Sequence, residues 1–421
     1  MKVAYWRKTD NSGMLYPMIM TLSQQSNFTL SATLSEKVEP DLLLSALKST
    51  YERYRMFKVE LNNGFLRACF VENFDEPKIF ENNGVILGRI NVNANNGYLI
   101  RITYYEKRIF GEFFHGLTDG GGATHFFSYL LSAYVSLKHG VEFKEENFPR
   151  LDGEEEDAYE RYYDKSIGTK GVLKSVSKNA AQVKGKFFRH DGMGVISGSC
   201  DFQEIKALSK DFGCSVTSLL GAFALSACVN SRASTDKNAP AVMFPINLRK
   251  FFPSDTLLNF VCMETISVDK DLPKTPREYA KSIGKDLKER LNQDHLKFSI
   301  SVASTVAHNP VVKFAPSFLK RSLIVLGRSF VTKTKQTIIV SNLGSFDLPK
   351  DVEPYVLDVE FLLNCNERTP LNMAVLTYKG KVRVSFTRHI LENDVERKFF
   401  EQMRAEGIDF TVRSNYREIQ L

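Results

Sequence analysis

Ile109-Phe110-Gly111-Glu112-Phe113-Phe114-His115-Gly116-Leu117-Thr118-Asp119-Gly120-Gly121-Gly122 is the stretch on which the reading of this chain turns. Upstream of it lie YLIRITYY from Tyr98 and a Glu106-Lys107-Arg108 turn, which together predict a hairpin whose second strand His115 closes. Downstream, Phe126, Phe127, Leu130, Leu131 and Tyr134 recur at helical spacing and predict a helix over residues 123–137, its aromatic stripe packed in a core. An imidazole at a strand terminus can be held rigidly and still face a cleft, and neutral His is well matched to proton transfer near pH 7. Asp119 closes the same turn, where three consecutive glycines permit backbone angles and close approaches that side chains forbid. Two other readings of His115 exist. One is a structural strand residue; the other is a metal ligand with Asp119 and His125, for which no Cys or HExxH-type spacing speaks, so no metal is expected.

Outward from this segment, the first half alternates strands and helices. An extended run covers residues 17–34, and a helix follows with Pro40 just inside its start and Leu43, Leu44, Leu47 and Tyr51 on one face. Asn62-Asn63-Gly64 is a hairpin turn, since Asn and Gly tolerate positive φ. Residues 149–191 lack clear periodicity and read as a crossover between lobes, their acidic run Glu154-Glu155-Glu156-Asp157 as a solvated face. The second half offers a short helix capped at Gly213 and a helix over 216–229 apolar on most sides. Strands over 239–248 and 258–268, a helix over 276–291, a strand over 337–343 and a final hairpin and helix complete it. LTYKGKVRVSFTRH from Leu376 repeats the layout of ITYYEKRIFGEFFH from Ile102. With Tyr105 and Tyr378 in register, His115 falls opposite Arg388, and the second copy lacks the Asp and the glycines. The chain therefore reads as an α/β protein with mixed α+β sheets in two lobes, residues 1–175 and 176–421, duplicated in layout with one copy keeping the chemistry.

Composition narrows the class. A chain of 421 residues exceeds one ordinary core and accommodates two domains. MKVAYWRKTD has no apolar leader core, and no stretch approaches the roughly 18 apolar residues a spanning helix needs, so a cytoplasmic location and no membrane contact are expected. The six cysteines show no CxxC spacing and read as buried thiols. A net charge of +7, without a basic aromatic stripe, argues against nucleic acid and suits a small anionic cosubstrate.

HGLTDGGG resembles the HxxxDG motif of the chloramphenicol-acetyltransferase-like superfamily, which includes condensation domains, the plant BAHD acyltransferases and alcohol acetyltransferases. WRKTDNSGMLYP at the start, FPINLRKFFPSDTLLNF over 244–260 and IIVSNLG over 338–344 are similar, in the same order, to bacterial members of the alcohol acetyltransferase branch. Phe114 stands where condensation domains carry a first histidine, and the DFGWG motif of the plant enzymes is absent, Asp211-Phe212-Gly213 lying too early and lacking the Trp.

The resemblance implies two lobes with a channel between them and an O-acyltransferase that uses acyl-CoA as cosubstrate, with no permanently bound cofactor. His115 would act as general base toward an alcohol acceptor on a thioester donor. Asp119 would brace the motif through Arg249, for which a bidentate pair is suited, and Gly120 and Gly121 would lie against substrate. Ser341 and Asn342 are the candidate oxyanion donors, with turn chemistry as their alternative. An acyl carrier protein is the second candidate donor, with an alcohol or amine acceptor, and a noncatalytic binding protein is a third reading against which the intact motif speaks. Lys313, Lys320, Arg321, Arg328, Lys333 and Lys335 around an apolar run suit coenzyme A phosphates, a membrane surface or, as the plainer expectation, the solvated face of an amphipathic helix.

Overall fold

The computed structural model describes residues 5–10, 26–65, 68–88, 90–167, 179–188, 193–232, 238–273, 275–309, 316 and 335–415. The basic stretch from Lys313 to Lys333, most of the first similar segment beyond Asp10 and parts of the expected crossover lie outside the described residues.

The first lobe is built on a five-stranded mixed sheet. Its members are β2 (Asn27–Leu34), β5 (Ile79–Glu81), β6 (Ile100–Tyr105), β7 (Arg108–Phe114) and β12 (Val356–Leu363), in the order β12-β2-β7-β6-β5. β6 and β7 are the expected antiparallel hairpin, with Tyr105 opposite Arg108 and Glu106 at φ 49° in the turn. A smaller sheet joins β1 (Trp6–Lys8) to the hairpin of β3 (Val59–Asn63) and β4 (Ala68–Glu72). Two helices cover the large sheet. α1 (Pro40–Arg53) starts at Pro as expected, and α2 (Gly120–His139) begins earlier than the aromatic pattern alone indicates, because the Asp119 side chain caps it. Phe126, Phe127, Leu130, Leu131 and Tyr134 are all buried, and Phe126 meets Tyr51, Tyr54, Phe57 and Phe113 in ring contacts. Each such pair is worth about 0.5–1.5 kcal/mol beyond its area, so the stripe holds α2 against α1 and β7.

The second lobe is a seven-stranded mixed sheet, ordered β10-β9-β11-β13-β14-β8-β15. Its strands are β8 (Gly194–Asp201), β9 (Ala241–Asn247), β10 (Val261–Ser267), β11 (Ile338–Ser345), β13 (Leu371–Tyr378), β14 (Lys381–Arg388) and β15 (Thr411–Ser414). α3 (Ala158–Tyr162) lies in the crossover, followed by α4 (Phe202–Asp211), α5 (Val216–Asn230), α6 (Pro276–Arg290), α7 (Gln293–His308) and α8 (Asp394–Ala405). Gly213, at φ 66°, ends the α4 region in the left-handed conformation that glycine adopts without strain. α5 is buried around most of its circumference between the sheet, α6 and α8. No single helix among the described residues is long and apolar enough to cross a membrane; α4 and α5 reach that measure only together, bent by 83°.

The expected repeat is visible in the pairing. The β13–β14 hairpin turns at Lys379 with φ 48°, and Tyr378 faces Lys381 as Tyr105 faces Arg108. Each hairpin then pairs antiparallel with a strand that leads into a helix, β7 with β2 and β14 with β8. Arg388, at the position matching His115, is buried against Glu396 at 3.3 Å and does not reach toward the motif turn's role.

In chain order β1–β7 come before β8–β15, and one strand of the second group joins the sheet of the first. β12 leaves the second half and pairs antiparallel with β2, Val356 to Leu363 against Leu34 to Phe28. The acidic run differs from expectation at Glu154, which is buried, while Glu155 is exposed as expected and Glu156 and Asp157 are half-buried. Glu154 is buried and bidentate to Arg53 at 2.6 and 2.9 Å, Glu155 accepts from Tyr5, and Asp157 caps α3. Its periodicity looked solvated because its partners lie about a hundred residues away. Of the cysteines, Cys200, Cys228 and Cys365 are buried while Cys69, Cys214 and Cys262 are half-buried, and all are free thiols. Replacing Glu154 by Ala leaves Arg53 buried without its carboxylate, and is expected to lower stability by about 3 kcal/mol in urea unfolding, whereas Glu155→Ala, at an exposed hydrogen bond, changes the midpoint little.

Candidate active site

His115 follows the last residue of β7, and its backbone N–H donates to Ser26 at 2.7 Å, so the sheet holds the residue before the turn begins. The ring rests edge-on against Phe28 with centroids 5.1 Å apart. Its Nδ1 lies 3.2 Å from Oδ1 of Asn259, whose Nδ2 donates to the His115 carbonyl at 3.0 Å. Burial pushes the imidazole below its ordinary value of 6.5, while hydrogen bonds to its own carbonyl and to Asn259 and the charge of Asp119 act in the other direction.

Asp119 is turned away from this ring and is almost fully buried. Oδ1 accepts from the N–H groups of Gly121 and Gly122 at 2.9 and 3.2 Å, satisfying two orphan donors at the start of α2. Oδ2 accepts from Arg249 Nη1 and from the backbone N–H of Phe260, both at 2.8 Å. The Arg249 contact is therefore single, where a bidentate pair was expected. The remaining donors are used elsewhere: Nε binds the Thr256 carbonyl at 2.8 Å and Nη2 the Leu258 carbonyl at 2.6 Å. One guanidinium thus gathers the carboxylate of one lobe and two carbonyls of a loop from the other.

The glycines act by close approach, and none of the three adopts positive φ. A Cβ at Gly122 would lie 2.1 Å from the Leu257 carbonyl oxygen and 2.2 Å from Thr118 Oγ1, which itself donates to that carbonyl. At Gly120 the nearest atom is Leu343 Cδ2, and at Gly121 it is the Asp119 carboxylate. Leu343 belongs to the SNLG segment, so β11 reaches the motif turn.

Within β11, Asn342 is committed to other work: its Nδ2 donates to Thr217 Oγ1 at 3.1 Å and its Oδ1 accepts from the Gly344 N–H at 2.9 Å. Ser341 alternates with it along the strand, is buried, and has no hydrogen-bond partner for its hydroxyl among the described residues. Sequence reasoning missed Asn259, although it stands in the quoted LLNF segment, because an Asn there reads as loop chemistry. It also missed Arg7 and Asp10. The buried Arg7 donates to the Leu117 carbonyl at 3.2 Å and lies over Phe70, and Asp10 Oδ2 accepts from Asn259 at 3.4 Å. Both lie within WRKTD, where only the resemblance offered a signal.

No family model matches the chain, and no curated protein matches its sequence. Solved structures share its architecture over nearly the whole length. Polyketide synthase associated protein 5 from Mycobacterium tuberculosis superposes with a TM-score of 0.61 at 15% identity, covering 95% of this chain and 96% of its own. The trichothecene 15-O-acetyltransferase from Fusarium sporotrichioides gives a TM-score of 0.62 at 10% identity, with 95% of each chain covered. A variant of the starter condensation domain of rhizomide synthetase, in complex with C8-CoA, gives 0.60 at 13% identity, with 96% of each chain covered. The fold is thus the two-lobed one of chloramphenicol-acetyltransferase-like acyltransferases and condensation domains.

The two glycine environments yield a contrast. Gly122→Ala pushes a Cβ into a backbone carbonyl and is expected to cost about 2–3 kcal/mol, read as a lowered unfolding midpoint. Gly120→Ala displaces only the flexible end of Leu343 and leaves that midpoint nearly unchanged.

Proposed function

We propose that the protein transfers an acyl group from a thioester, in first place acyl-CoA, to the hydroxyl of an alcohol, with His115 as general base. The observation that carries this reading is the arrangement at the motif turn. A strand-terminal imidazole kept neutral by burial stands beside a carboxylate that is fully occupied in bracing the turn. A dyad in which Asp119 relays charge to His115 would need the two side chains in contact, and Asp119 instead spends both oxygens on backbone and Arg249.

In the proposed reaction His115 accepts the proton of the acceptor hydroxyl as that oxygen attacks the thioester carbonyl. The tetrahedral intermediate then collapses with cleavage of the carbon–sulfur bond, and His115 returns the proton to the departing thiolate. Ester and free thiol are the products, and no acyl-enzyme is formed. Ser341 is the better of the two oxyanion candidates, since its hydroxyl is uncommitted among the described residues and Asn342 holds α5. Substrates would meet in the channel between the lobes, with Gly120 and Gly121 beside them. The coenzyme A complex of a condensation domain with the same fold supports a thioester donor, and donor transfer from an acyl carrier protein remains an arm of the test.

Purified protein supplied with acyl-CoA donors, acyl-carrier donors and a panel of alcohols and amines is expected to release free thiol with acyl-CoA and alcohol. His115→Ala reduces the rate to background, and equal rates for wild type and His115→Ala with every donor would overturn the reading. A general base works in its neutral form, which for a lowered pKa persists to lower pH. The acid limb of kcat/KM is therefore expected below pH 6.5, the ordinary histidine value.

A further inference from the structure

We propose that Tyr159, on the crossover helix α3, is a positioning residue whose hydroxyl fixes the stretch of backbone that brings Asn259 and Phe260 to the motif turn. The clamp itself rests on hydrogen bonds, and its effect on rate rests on the acyl-transfer reading above.

β10 is an edge strand of the seven-stranded sheet, and Val261 is its first residue. The Phe260 carbonyl turns inward and accepts from the Leu248 N–H at 3.1 Å, so the alternation of a strand turns both main-chain groups of Val261 toward the open edge. One hydroxyl answers both. Tyr159 Oη donates to the Val261 carbonyl at 2.6 Å and accepts from the Val261 N–H at 2.9 Å. A hydroxyl has a single proton to give, and here it goes to the edge of the sheet.

The ring that carries this hydroxyl packs on the preceding residue. Tyr159 meets Phe260 edge-on with centroids 5.3 Å apart, and Tyr162 of the same helix stacks on Phe260 at 5.9 Å. These side chains belong to a small core, distinct from the main core of each lobe, in which Ala158 and Tyr159 join Leu248, Phe252 and Phe260 and two residues of α7. Leu248 precedes Arg249, and Phe260 follows Asn259. The second-lobe side of the brace is thus mounted on the crossover.

Residues 256–261 are held by two sets of bonds. From the brace and the motif turn, Arg249 takes the carbonyls of Thr256 and Leu258, Thr118 that of Leu257, and Asp119 the N–H of Phe260. From the crossover, the Glu156 carbonyl accepts from Thr256 Oγ1 at 2.6 Å, the Glu154 carbonyl accepts from the Leu257 N–H at 2.8 Å, and Tyr159 holds Val261. Both sets act on one short stretch, so slack in the crossover set passes to the Phe260 contact with Asp119 and to the Asn259 contact with the His115 carbonyl.

The test pairs two hydroxyl deletions on α3. Tyr159→Phe keeps its ring on Phe260 and loses both bonds to Val261, whereas Tyr162→Phe keeps its ring there and loses a bond to Pro253, outside the held stretch. Hydrogen exchange, read by mass spectrometry on peptides covering residues 256–261, is expected to quicken on the order of 10-fold in Tyr159→Phe and to keep the wild-type rate in Tyr162→Phe. With acyl-CoA and alcohol, Tyr159→Phe lowers kcat by roughly 10-fold with KM little changed, and Tyr162→Phe leaves both as they are. Thr256→Val cuts the bond to Glu156 while keeping the side-chain shape; it moves both readouts in the same direction and serves where Tyr159→Phe fails to fold. Wild-type exchange over residues 256–261 in folded Tyr159→Phe overturns the clamp, and quickened exchange with wild-type kcat overturns the positioning role. Quickened exchange in a protein whose wild type releases no thiol from any donor leaves the clamp standing and sinks the acyl-transfer reading.

Discussion

The carboxylate of Asp119 organises the centre of this molecule because each of its oxygens serves a different lobe. Oδ1 closes the first turn of α2, and Oδ2 receives Arg249 and the Phe260 N–H from the loop that enters β10. Burying an ionised carboxylate is costly unless its lone pairs are met, and here four donors meet them. The helix N-terminus adds a favourable field for the negative charge. Removing the carboxylate would strand three backbone amides and take one acceptor from Arg249 at once, so the turn and the interlobe loop are coupled in one network.

A second connection keeps the lobes from parting. β12 departs from the second half of the chain to pair with β2 along its whole length, and its Glu360 meets Arg108 of β7 at 2.9 Å and Ser385 of β14 at 2.9 Å. Asp358 on the same strand takes Arg383 at 2.6 Å. The seam between the sheets is therefore partly ionic, unlike the apolar layers under the helices. Arg108 and Arg383 hold Glu360 below the ordinary carboxylate range although burial pushes it the other way. These directional contacts tie β12 to β7 and β14 at fixed residues.

Much of the fold was legible because its elements carry strong local signals. Pro40, the hairpin turns, the α2 stripe and the uniformly apolar α5 each follow from spacing within a short window. His115, Asp119 and Arg249 were legible as a set only because the motif and the PINLR segment resemble a known pattern. What escaped was long-range pairing of polar residues. Glu154 looks like one of four solvated acids until Arg53 is brought to it, and Asn259 looks like loop chemistry until Asp10 and His115 flank it. β12 escaped for a similar reason, since an alternating strand does not announce which sheet it will join.

The duplicated layout sets two unlike side chains at matching positions. Both hairpins end a strand beside a helix, and at the matching position one presents His115 and the other Arg388. Arg388 is buried and answered by Glu396, so its cation is consumed within its own lobe. His115 has its Nδ1 engaged by Asn259 from the opposite lobe, and its turn is braced by Arg249 from that lobe as well. An imidazole held this way belongs to neither half alone. Its geometry exists only when the lobes are joined, which makes lobe association a condition for orienting His115.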